Sequence, residues 1–143
     1  GQTARGRSGT VPGLMIPLPY MCRTIIAGSR GITDYSLVEA AMLLAANRGI
    51  GPVTQVLCGM ARGVDMLGYR WATEHGVAVR PCPAEWDAHG RSAGHKRNAF
   101  MAHNADALVA VWDGHSRGTE GMIRLARGLG LPTFVFDPKR WHA

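Results

Sequence analysis

The chain has 143 residues but only three cysteines, Cys22, Cys58 and Cys82. They are odd in number, far apart and free of any C-x-x-C spacing. A disulfide framework and a structural zinc site are therefore excluded. Lysine is almost missing as well. Lys96 and Lys139 are the only two, so arginine carries nearly all the basic charge behind a net +6. Aromatic residues make up 7%, which leaves few rings for a stacking track along a nucleic acid. No apolar run approaches the roughly 18 residues of a membrane span. The dinucleotide fingerprint G-x-G-x-x-G with its downstream acid is absent, and so is the phosphate-binding G-x-x-x-x-G-K-[ST]. The six histidines form no ligand pattern, so neither a metal nor a cofactor is expected.

What remains is a globular composition, with 46% hydrophobic and 18% charged residues. A length near 150 suits one domain. Residues 1–20, rich in glycine and proline and without periodicity, read as a flexible or artificially appended tail. Met21, directly before the first strand, is then a natural start, and residues 21–143 form the single domain. The odd, reduced cysteines point to a cytoplasmic setting.

Strand and helix signals alternate along that domain. Thr24–Ala27, Thr54–Cys58, Val77–Arg80, Ala107–Trp112 and Thr133–Phe136 are short apolar runs. Helical patterns separate them at Tyr35–Asn47 (with Asp34 as N-cap), Asp65–His75, about His95–His103, and Gly118–Leu129. The stretch "PCPAEWDAHGRSAG" reads as a long loop. About five non-alternating apolar strands with helices between them predict a doubly wound, three-layer α/β fold with a parallel sheet covered on both faces. Such sheets take ligands at the carboxyl ends of their strands.

Three loops at that edge share a design: "AGSRGITD", "CGMARGVD" and "WDGHSRGTEG". Each combines glycines, an arginine and a following helix. Glycine lets backbone amides approach a ligand, the helix start is electropositive, and arginine offers a fork to phosphate oxygens. The candidate ligand-binding residues are Gly28, Ser29, Arg30, Gly59, Ala61, Arg62, Gly63, Asp65, Asn98, Gly114, Gly118 and Thr119. Asp65 reads either as an acceptor for a ribose hydroxyl or as a helix cap. Trp86 is expected in the core, with base stacking as the other reading. His89, His95 and His115 flank the same edge. Asp113 is a further carboxylate at a strand end.

"IIAGSRGITD", "VLCGMARGVDMLGYRWA", "PAEWDAHGRSAGHKRN", "MAHNADALVAVWDG" and "RGTEGMIRLARGLGLP" come in an order and spacing that resembles the SLOG superfamily. That group joins the DNA-processing DprA (Smf) proteins with the LOG phosphoribohydrolases, and the likeness is strongest to its small YspA-like members. It spans residues of about 22 to 136 and implies a Rossmann-like domain that binds nucleotides or nucleotide derivatives. "CGMARGVDMLG" is similar to a DprA segment. By similarity to LOG, Arg97 falls at the catalytic arginine, Asn98 replaces a lysine, and Gly118-Thr119 match a Gly-Thr pair. The LOG catalytic glutamate lies three residues after that threonine, where this chain has Met122. Glu120, one residue after Thr119, is the remaining carboxylate, either as a base or as a partner of the helix dipole.

Three functions follow as expectations. The first is a nucleotide-binding sensor or sequestering module. The second is a LOG-type nucleoside 5′-monophosphate phosphoribohydrolase using Arg97 and Glu120. The third, favoured least, is DprA-like binding of single-stranded DNA. The resemblance also implies a homo-oligomer, and no membrane partner is expected.

Overall fold

The computed structural model describes residues 21–141. The expectation of a tail over residues 1–20 lies outside them. The elements run β1 (Arg23–Gly28), α1 (Tyr35–Asn47), β2 (Gln55–Cys58), α2 (Val64–Glu74), β3 (Ala78–Pro81), α3 (Trp86–His89), α4 (Ala93–His103), β4 (Ala107–Val111), α5 (Arg117–Gly128) and β5 (Thr133–Phe136). All strand pairs are parallel, in the order β3-β2-β1-β4-β5. The connection from β3 to β4 therefore crosses the sheet, and the order reverses between β1 and β4. That makes their carboxyl ends the topological switch point, where doubly wound sheets open a crevice.

Successive strand residues face opposite layers, so each apolar strand supplies two cores. Ile26, Val56 and Val109 pack with Val38, Ala41 and Ala45 of α1 and with Val64 and Ala72 of α2. Ile25, Leu57 and Leu108 pack with Met101 and Ala102 of α4 and with Met122, Ile123 and Ala126 of α5. This three-layer architecture is the expected one, and it explains why the strands read as continuous apolar runs rather than alternating ones. Gly68 brings α2 onto the sheet: a Cβ there would lie 2.7 Å from the Ile26 Cγ2.

Most boundaries match the sequence reading within two residues. Asp34 caps α1 as expected, its carboxylate accepting from the Ser36 N–H at 3.0 Å. Two expectations need correction. The stretch read as a long loop contains α3 and a 3₁₀ turn over Gly90–Ser92, elements too short to carry a periodicity. Helix α2 starts at Val64 with Gly63 at the N-cap, so Asp65 lies inside the helix and is not its cap.

At the opposite, amino-terminal edge one ion pair joins β1 to the turn before β4. The Arg23 Nε and Nη2 donate to the two Asp106 oxygens at 2.8 and 3.0 Å, and the Arg23 backbone N–H adds 2.9 Å. Partial burial works against the Asp106 charge, but these donors outweigh it and hold its carboxyl below the ordinary carboxylate range. The contribution is thus present above the unfolded value of about 3.9 and is lost as pH falls through the lowered folded value. Both side chains are more than a third exposed, so solvent screens the pair. Asp106→Asn is expected to cost about 0.5–1 kcal/mol at pH 7, with the deficit closing toward pH 3. Urea unfolding of both proteins across that range checks it.

Candidate functional site

The glycine and arginine loops meet at the switch point because three side chains tie them together. Ser29, 1% exposed, is the first. Its N–H donates to the Val111 carbonyl at 3.1 Å, its carbonyl accepts from the Val64 N–H at 3.3 Å, and its Oγ accepts from the Asp113 N–H at 3.0 Å. The loops after β1 and β4 and the start of α2 are thereby locked to one another. Gly63 completes the join with φ +79°. A Cβ there would lie 2.5 Å from the Ser29 and Arg30 carbonyl oxygens, so the backbone conformation and the space both require glycine.

The second tie is Asp65. It is 6% exposed, and its Oδ2 accepts from the Ala61 N–H at 3.1 Å, folding the β2 loop back over the helix start. Its Oδ1 accepts from no group among the described residues. The third is Arg97, in the middle of α4. Its Nη1 donates to the Gly59 carbonyl, and its Nε donates to the Asn98 Oδ1 at 2.9 Å. The Asn98 Nδ2 in turn reaches the Gly118 carbonyl at 3.5 Å. Gly59 sits between the two charged groups, and a Cβ on it would lie 2.6 Å from both the Arg97 Nη1 and the Asp65 Oδ2. Cys58 lies beneath, fully buried. Its thiol donates to the Asp65 carbonyl at 3.2 Å, and burial pushes it up to about 11. It acts as a small buried residue.

These ties enclose a cleft of about 80 Å³. Arg30, Asp65, Arg97 and Asn98 form its polar walls, and Ala27, Met101 and Met122 its apolar floor. Ser116, Gly118 and Thr119, from the start of α5, close the far side. Ser116 caps that helix: its Oγ accepts from the Thr119 N–H at 3.4 Å and lies 3.0 Å from the Thr119 Oγ1. The Asp113 Oδ1 accepts from the His115 and Ser116 amides at 2.7 and 3.0 Å, and these bonds hold its carboxyl below the ordinary range. The Gly118 N–H, in the first turn, has no acceptor among the described residues. It points the electropositive helix end toward the cleft. Neither Arg30 nor Arg62 makes a side-chain hydrogen bond or ion pair among the described residues, so their charge is available to a ligand.

Of the residues singled out in the sequence, Gly28, Arg30, Ala61, Asp65, Arg97, Asn98, Gly118 and Thr119 meet at this cleft. Gly59 and Arg62 border a second groove of about 340 Å³, which shares Arg30, Ala61 and Arg97 with it. Ser29 and Gly63 lie behind the walls and shape them. Gly114 occupies an exposed turn at φ +86°. The Glu120 carboxylate faces Arg124 at 3.3 Å and does not line the cleft. Trp86 corrects the core expectation: it is 51% exposed and borders the second groove. His89 lies 3.6 Å from Glu85, away from the cleft. Among the described residues, no three His, Cys, Asp or Glu side chains are arranged to hold a metal. Sequence reasoning missed Met101 and Ser116. Met101 carried only a core signal, and the sole hint for Ser116 was its place before a helix.

Fold and site together define a Rossmann-like α/β domain with an arginine-lined cleft at its switch point. A model of the YspA, cpYpsA-related SLOG family matches residues 22–89. The chain is 35% identical over 125 residues to the Gene 61 protein of Mycobacterium phage D29, covering 83% of this chain and 99% of that protein. The chain belongs to the YspA, cpYpsA-related SLOG family. No solved structure matches it. Among the described residues, no helix is long and apolar enough to cross a membrane.

Asp65 yields a signed prediction. Burial pushes its carboxyl above the ordinary range, against the Ala61 amide and the Arg97 and Arg30 charges that favour ionisation. A carboxyl raised by folding contributes stability that is full below the unfolded value, about 3.9, and is lost as pH rises through the folded value. Asp65→Asn keeps an acceptor for Ala61 and removes the buried charge. It is expected to match the parent near pH 3.5 and to exceed it by a few degrees in Tm at pH 7. A variant less stable than the parent at pH 7 would show that the charge itself holds the loop.

Proposed function

We propose that the protein binds a nucleotide or nucleotide derivative with its phosphate in the switch-point cleft, as a sensor or sequestering module. The observation that carries this reading is the convergence of Arg30, Arg97 and the unpartnered Gly118 N–H on one small cleft. Arginine forks and a helix N-terminus are the two devices that suit phosphate oxygens. The free Asp65 Oδ1 beside them is buried, and a buried acceptor without a donor is costly. A ribose hydroxyl next to the phosphate would satisfy it.

Binding without cleavage is favoured over N-glycosidic hydrolysis. Hydrolysis of the LOG type calls for a carboxylate placed to reach the reacting carbon or its water, and Asp65, which lines the cleft, is instead tied to the Ala61 amide. Met122, 1% exposed, forms the floor where the resemblance to LOG enzymes would put a glutamate, and Glu120 is turned toward Arg124. Single-stranded DNA binding calls for a track of stacking rings along the arginines, and among the described residues Trp86 is a single ring beside them.

The test is calorimetry with AMP, GMP and adenosine. Nucleoside monophosphates are expected to bind and adenosine to bind far more weakly. Arg30→Ala removes no side-chain hydrogen bond or ion pair among the described residues and is expected to weaken monophosphate binding about tenfold to a hundredfold with little change in Tm. Equal affinity for AMP and adenosine would contradict a phosphate cleft. Free adenine released from AMP by the parent but not by Arg97→Ala would establish the hydrolase instead.

A further inference from the structure

Resting on that phosphate reading, we infer that Trp86 is the platform for the nucleotide's base and that the groove beside the cleft sorts ligands by what the ribose carries. The cleft of about 80 Å³ carries the groups that suit a phosphate. A groove of about 340 Å³ adjoins it, with Arg30, Ala61 and Arg97 in both linings, and lies in the range of small-molecule sites.

The lining of that groove suits a flat, π-rich group. Trp86 is 51% exposed at the start of α3 and belongs to neither apolar core. An indole left this open contributes little to folding. Met60 sits opposite in the chain's β2 loop with φ +65°, a left-handed backbone that side chains seldom adopt. Such strain is characteristic of ligand sites. Met60 is 37% exposed and lines the same groove as Trp86, and sulfur next to a ring is a favourable contact. Arg62 brings a planar cation with no side-chain partner among the described residues, able to stack on a base or pair with its carbonyl edge. Indole, thioether and guanidinium around one groove, adjoining a cleft that suits a phosphate, fit a base joined to a phosphorylated ribose.

The experiment compares AMP with ribose 5-phosphate by calorimetry on the parent, Trp86→Ala and Trp86→Phe. Stacking of one base on an aromatic ring corresponds to roughly a tenfold to hundredfold change in affinity. The parent is expected to bind AMP at least tenfold tighter than ribose 5-phosphate. Trp86→Ala should erase that preference and leave ribose 5-phosphate affinity unchanged, which also shows that the variant is folded. Trp86→Phe should retain most of the preference. AMP should quench tryptophan fluorescence in the parent and not in Trp86→Phe. Equal parent affinity for the two ligands, or a preference that survives in Trp86→Ala, overturns the base platform while the phosphate reading stands. If neither ligand binds the parent, the phosphate reading fails and the platform with it. Affinity that climbs with the length of a single-stranded oligonucleotide would overturn the single-nucleotide occupant.

Discussion

The site depends on one constraint: Gly59 must pass between the Arg97 guanidinium and the Asp65 carboxylate with no room for a Cβ. Arg97 comes from α4, on one side of the sheet, and Asp65 from α2, on the other. The backbone of the β2 loop joins them. Its carbonyl at Gly59 holds Arg97, and its amide at Ala61 is held by Asp65. Each charged group thus gains a backbone partner without the two collapsing onto each other. A direct ion pair would neutralise the cleft, whereas this arrangement keeps the cation oriented and its remaining donors available. The cost is a buried carboxylate in a cationic wall and a strained Met60, both of which the helix start and the Ser29 ties must support.

The electrostatics of the edge follow from that arrangement. Two cationic side chains among the described residues line the cleft, Arg30 with no side-chain hydrogen bond or ion pair there and Arg97 with backbone and amide partners. The one nearby carboxylate is pushed toward its neutral form by burial. The net potential is therefore positive where the helix end of α5 adds to it. A phosphate entering this cleft meets donors already in position, which reduces the ordering cost of binding. The apolar floor of Met101 and Met122 excludes water beneath those donors and lowers the local dielectric, which strengthens each charge-assisted bond.

Much of this was legible in the sequence, for physical reasons. Strands buried on both faces appear as apolar runs, and their alternation with helical patterns implies a parallel sheet, so the layers and the loop-bearing edge could be read directly. Arg30, Arg97, Gly118 and Thr119 stood out because arginine and glycine at strand ends serve few purposes in packing. Other features depend on tertiary context. Trp86 is an aromatic residue, which argues for the core, and only the four-residue helix α3 reveals that it faces outward. Asp65 resembles a cap, because a cap and an acid within the first turn of a helix look alike until Gly63 is seen to take the N-cap with a positive φ. Ser29 was singled out as a ligand contact, and the tie its hydroxyl makes with the Asp113 amide, 84 residues away, has no local sequence signal. Glu120 belongs to a helix face whose rotation no short motif specifies.

The central claim is that the cleft between Arg97, Arg30 and the start of α5 receives a phosphate. A crystal structure of the protein with a nucleoside 5′-monophosphate tests it most directly. The account predicts phosphate oxygens within hydrogen-bonding distance of the Arg97 guanidinium and the Gly118 N–H, with the Gly59 carbonyl still holding Arg97. A nucleotide bound elsewhere on the surface, with Arg97 and the start of α5 untouched, would contradict it.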